Sequence, residues 1–171
     1  MTEKKSAGFW AFLIKGFTTL IKGAKFLKVI FAGATFASYA YLFTWKFALM
    51  VLIAIGFHEA GHVWAMKRMG IKTKGFYFLP FLGGVAIAEE QYKTHGQHAF
   101  VSIMGPVWGF ALALATYGVY LSTGQPLFAA VASWMALVNL FNLLPVNPLD
   151  GGQLMRCITF SVHGAVGLIF L

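Results

Sequence analysis

Residues 47–66 read FALMVLIAIGFHEAGHVWAM, a run long and apolar enough to cross a bilayer as helix, yet its second half carries His58, Glu59 and His62. Residues four apart share one face of an α-helix, so His58 and His62 can both direct a ring nitrogen at one ion, with Glu59 beside it. Ionisable side chains inside a span are costly and usually mark function. A metal ion would compensate them. The spacing is HExxH, in which two histidines hold zinc and the glutamate serves as general base toward a water molecule.

The composition around this run is that of a membrane protein. Of 171 residues, 59% are hydrophobic and 11% charged, and the mean hydropathy is +0.75. Four stretches, 29–45, 47–66, 99–121 and 127–144, approach the ~20 apolar residues of a helical span. A fifth begins at Cys157 and meets the end of the sequence at Leu171, so the natural chain is expected to run on. The expected fold is an α-helical integral membrane protein: a polytopic helix bundle of four spans and the start of a fifth, with a short re-entrant β-hairpin.

The net charge of +8 does not point to nucleic acid, because the basic residues flank the apolar segments. Lys4, Lys5, Lys15, Lys22, Lys25 and Lys28 precede the first, Lys67, Arg68, Lys72 and Lys74 follow the second, and residues 122–126 carry no charge. Under the positive-inside rule the N-terminus is cytoplasmic and the second and fourth spans run inward, with Arg156 closing the fourth and Lys46 the one exception. Residues 1–28 space their lysines among Phe9, Trp10, Leu13, Phe17 and Leu20 as a basic amphipathic interfacial helix does, and residues 29–171 form the membrane core. The single cysteine, Cys157, excludes an internal disulfide and a cysteine zinc cluster.

After the second span, residues 76–79 and 85–88 are too short to cross and are broken by Gly75, Pro80, Gly83 and Gly84. They read as two strands of a hairpin packed on the bundle, since non-helical backbone at membrane depth must be satisfied by protein or water. His95 and His98, in the polar stretch 89–98, read as solvated loop histidines. The junction near Lys46 has neither glycine nor proline, so the break between the first two spans is weakly marked. The fourth span ends in NLFNLLPVNPLDGG, where Pro145 and Pro148 stop the helix and Gly151 and Gly152 permit a tight turn.

Depth allows the two polar segments to meet. At a rise of about 1.5 Å per residue, His62 and His58 lie roughly 8 and 14 Å from the cytoplasmic boundary at Lys67. Asn142, on a fourth span running inward, lies about 8 Å from the same face of a ~30 Å core. Glu59 and Asp150 are the two acidic residues embedded in apolar surroundings.

HEAGH in the second span together with NLLPVNPLDGG after the fourth resembles the site-2 protease family of intramembrane zinc metalloproteases. The resemblance extends over about residues 29–156. It implies that Asp150 is the third ligand of one Zn2+ with His58 and His62, that Glu59 is the general base, and that Asn142 donates to the carbonyl oxygen as it becomes an oxyanion. It also implies the hairpin, onto which PFLGGVAIAEE falls, and a zinc-activated water that hydrolyses peptide bonds in transmembrane or signal-peptide-like substrates. MGPVWG at 104–109 resembles the family's glycine-proline segment, with Gly109 where many members have asparagine. An unwound substrate could add as a strand to the hairpin along Phe81, Leu82, Gly83, Gly84, Val85 and Ala86. The partners expected are such substrates and the lipid bilayer, with no nucleic acid, in a multi-pass protein of the cell membrane whose site faces the cytoplasmic side.

Rival chemistries fit less well. Zinc peptidases that take a downstream glutamate as third ligand lack one here, since no glutamate follows Glu90, and Arg68 stands where a third histidine of the extended motif would be. A metal transporter would need a polar route that the third span does not offer. An inactive scaffold would be expected to have lost Glu59 or a ligand.

Overall fold

The computed structural model describes residues 25–79 and 83–169, with side chains described to residue 159. Apart from residues 25–28, the amphipathic segment 1–28 lies outside the described residues, as do Phe81 and Leu82. Helix α1 covers 25–42. It breaks at Phe43 and Thr44, and Thr44, in extended backbone, accepts a hydrogen bond from the Phe47 N–H at 3.3 Å, capping α2, Trp45–Arg68. The weakly marked junction is therefore two helices. Lys67 and Arg68 occupy the last turn of α2, where cations suit the helix C-terminus.

Strands β1, Thr73–Leu79, and β2, Gly83–Ala88, pair antiparallel from Thr73 opposite Ala88 to Leu79 opposite Gly83, with an irregularity between Thr73 and Gly75. Gly75 takes φ +78, the left-handed conformation such a bulge favours, and the Thr73 hydroxyl donates to the Ile87 carbonyl at 2.7 Å. The hairpin lies on α2, where the Phe78 ring reaches within 3.4 Å of the space a Cβ on Gly56 would fill. The two strands expected at 76–79 and 85–88 are present and longer by two or three residues.

Helix α3, His95–Thr123, is capped by Thr94 and ended by left-handed Gly124; α4, Pro126–Asn142, starts on a proline, and α5 is Asp150–Ile169. Gly151 and Gly152 form no tight turn but the first turn of α5, seated against the backbone of Leu143 and Val146, where a Cβ would collide. Close helix-to-loop packing, rather than backbone freedom, is what demands glycine there.

α2 packs chiefly on α3, and α3 on α4 and α5. Along α2, one buried cluster of Ala54, Ala113, Val131 and Met135 lies to one side of the histidines, and a second of Ala65, Met66, Ile71 and Val101 to the other. Large apolar side chains such as Tyr41, Leu114, Leu121 and Leu137 are exposed on the outside. Among the described residues α2 and α3 are long and apolar enough to cross a membrane, while α4, at 17 residues, is a shorter apolar helix. The expected four spans and start of a fifth are thus met in part.

Candidate metal centre

His58 and His62 leave α2 on one face, both buried, and Asp150 reaches them from the first turn of α5. His58 Nε2 lies 3.2 Å from His62 Nε2 and 3.2 Å from Asp150 Oδ2, and His62 Nε2 lies 3.3 Å from Asp150 Oδ1. Atoms bound at the usual zinc distances in a tetrahedral shell stand about 3.3 Å from one another.

The far side of each ring decides which nitrogen is free. His58 Nδ1 stands 2.8 Å from Asn139 Oδ1, and His62 Nδ1 stands 2.8 Å from the Val101 carbonyl. Both partners only accept, so both rings carry their proton on Nδ1 and, when neutral, turn the Nε2 lone pairs inward. Asn139 Nδ2 donates to the Met135 carbonyl at 2.7 Å, which fixes its amide with Oδ1 toward His58. Two lone pairs and a carboxylate facing one another with no proton between them repel unless a cation sits among them. The donor set of two imidazoles and a carboxylate, leaving a position for water, is a common catalytic zinc shell. The residues fit the metal.

Glu59 is buried beside this cluster, under β2. A Cβ on Gly84 would stand 2.5 Å from Glu59 Cγ and 2.8 Å from Oε1, so the strand can pass over the carboxylate only because residue 84 is glycine. On α3 the same device recurs. A Cβ on Gly105 would overlap the His62 ring, and one on Gly109 would overlap the Asn139 amide. Val101, Gly105 and Gly109, at intervals of four, give α3 one face turned to the site.

His58, Glu59, His62, Asn139 and Asp150 line a cavity of about 610 Å³ that also touches Tyr39, Trp134 and Phe141. Gly83, Gly84, Val85 and Ala86 line it too, as do Asn142 and Gln153. Asn142 is half-buried on that wall, whereas the asparagine that contacts His58 is Asn139, a residue that sequence reasoning missed. The available signal was an amide inside an apolar helix. His98, expected in solvent, sits in the first turns of α3, stacks on Tyr92 at 4.3 Å between ring centroids and contacts Gln153 Oε1 at 2.9 Å. Burial, with Asp150 nearby, raises the Tyr92 phenol above its ordinary range and keeps it neutral at physiological pH.

Residues 46–134 match the model of Peptidase family M50. The chain belongs to this family. It is 34% identical over 126 residues to the putative zinc metalloprotease Rip3 of Mycobacterium tuberculosis, covering 68% of this chain and 32% of that protein. It is 26% identical over 122 residues to zinc metalloprotease MJ0392 of Methanocaldococcus jannaschii, covering 68% of this chain and 35% of the other. With stage IV sporulation protein FB of Bacillus subtilis it shares 29% over 112 residues, covering 64% and 39%. The chain thus spans about a third of the length of the relatives it matches. A solved structure, the site-2 protease of Methanocaldococcus jannaschii, has the same fold, with a TM-score of 0.60 at 23% identity over 80% of this chain and 65% of that one. The M50 match takes in His58, Glu59 and His62 and stops before Asn139 and Asp150, so the third ligand rests on the geometry of α5.

Proposed function

We propose that this chain is the catalytic core of an intramembrane zinc endopeptidase that hydrolyses peptide bonds within or near transmembrane segments of other proteins. The observation that carries this reading is the triangle of His58, His62 and Asp150 ligand atoms at 3.2 to 3.3 Å, with Glu59 beside it on an apolar helix of membrane-spanning length. His58, His62 and Asp150 would hold one zinc ion. Bound there, zinc would polarise the scissile carbonyl and acidify a water, supplying Lewis acid and nucleophile together. Glu59 takes the water proton on a carboxylate oxygen and delivers it to the leaving amine. Asn142, on the cavity wall, donates from its amide to the carbonyl oxygen as that atom gains charge.

A helical substrate hides its carbonyls in hydrogen bonds and must be unwound before attack. β2 pairs with β1 along one edge, and Gly83 to Ala86 border the cavity beside Glu59. An extended substrate strand added there satisfies its backbone while its scissile bond faces the site. The remaining parts of the reading follow from charge and length: α1 to α4 cross the bilayer, the N-terminus is cytoplasmic, the hairpin re-enters the membrane core, and the site sits toward the cytoplasmic face.

The test is metal content and cleavage together. Purified protein in detergent should hold one zinc per chain and cut a model transmembrane substrate, and His58→Ala, His62→Ala and Asp150→Ala should each lose both. Zinc bound equally by all three variants would refute the ligand assignment.

A further inference from the structure

The two histidines are held from behind in different ways. His62 is fixed by a backbone carbonyl, which no side-chain substitution removes, whereas His58 depends on one side chain, Asn139 of α4, across 81 residues of sequence. Asn139 is 3% exposed, and both ends of its amide are used, Oδ1 by His58 Nδ1–H and Nδ2 by the Met135 carbonyl. Nothing in that arrangement lets the amide turn over. The acceptor is therefore presented to His58 in one orientation, which sets the tautomer and aims Nε2 at the ligand cluster. Partners of this kind orient a metal-binding ring and raise its basicity, and losing one typically costs roughly 10- to 100-fold in metal affinity.

The space Asn139 fills belongs to α3. A Cβ on residue 109 would overlap Oδ1, Nδ2 and Cγ of Asn139 at once, so the amide can reach His58 only past a glycine. Gly109 and Asn139 are thus two halves of one device on facing helices.

We propose that Asn139 is a positioning residue of the metal centre, holding His58 in its metal-binding tautomer, and that Gly109 is the complement that admits it. The proposal rests on reading His58, His62 and Asp150 as a zinc site, and the experiment separates the two. Zinc affinity is measured on the full chain in detergent by competition with a chromophoric chelator, with circular dichroism and gel filtration to check the fold. The unsubstituted chain should bind zinc; absence of binding refutes the zinc reading and this proposal with it. Asn139→Leu keeps the branched outline, with a somewhat larger side chain, and removes the acceptor, and should weaken zinc roughly 10- to 100-fold. Asn139→Asp retains an acceptor for Nδ1–H but gives up the bond to the Met135 carbonyl, and should recover part of that loss. Gly109→Ala should weaken zinc to a similar degree by displacing the amide, and should have no further effect when combined with Asn139→Ala. Zinc bound by the unsubstituted chain and equally by a folded Asn139→Leu protein overturns this proposal alone. Equal losses in Asn139→Leu and Asn139→Asp also overturn it, since packing rather than the acceptor would then be at stake. Additive losses in the Gly109 and Asn139 pair would show that the glycine acts independently.

Discussion

At the scale of single residues, much of the site depends on what is missing opposite it. Gly84 and Gly105 lie against Glu59 and His62 so closely that an added methyl has no room. Gly84→Ala should push Glu59 out of place, lowering kcat by at least about tenfold, since general base catalysis is worth roughly 10²- to 10⁴-fold, while bound zinc stays unchanged. Gly105→Ala should act the other way round, tilting the His62 ring and lowering zinc affinity by roughly tenfold or more, as chelator competition would read out. Unchanged values in either variant would mean that the neighbouring side chain shifts at no cost. His58, Glu59, His62 and Asp150 were legible in the sequence because a four-residue interval on a helix and a charge in an apolar setting each carry a physical meaning. Asn139 was not, because an amide inside an apolar helix does not reveal which group it faces across the bundle. The glycines were legible as breaks and turns, but their use as clearances is visible only when a second element lies across them.

At the scale of elements, the hairpin was predictable from its glycines and proline, while the break expected near Lys46 and found at Thr44 was only weakly marked, because it is made by a capping hydroxyl without a glycine or proline. The start of α5 was misread for the opposite reason. Gly151 and Gly152 look like turn residues and are helical, their smallness needed for contact with the end of α4. Neighbouring residues of a strand turn their N–H groups to opposite edges, so one of Val85 and Ala86 donates away from β1. Proline at that position removes a docking donor and leaves the β1 to β2 ladder intact. Of Val85→Pro and Ala86→Pro, at least one should therefore abolish cleavage of a transmembrane substrate with zinc content unchanged. Normal turnover in both would refute strand addition as the docking mode.

At the scale of the whole molecule, helical spacing set His58 and His62 together on α2 and the family resemblance pointed to Asp150, which lies at the start of α5; α3 packs against both helices and joins the two. The proposed topology sets the loop after α2 and the loop after α3 on opposite sides of the membrane. With Cys157 replaced by alanine, Ser122→Cys should react with a membrane-impermeant maleimide on intact cells and Lys72→Cys only after permeabilisation; labelling of both from one side would contradict the four-span arrangement. The central claim, a zinc centre that cuts peptides with Glu59 as its base, is tested most directly by Glu59→Gln. That protein should keep one zinc per chain and lose cleavage of a model transmembrane substrate by at least about 100-fold. Cleavage near the unsubstituted rate, with zinc still bound, would contradict it.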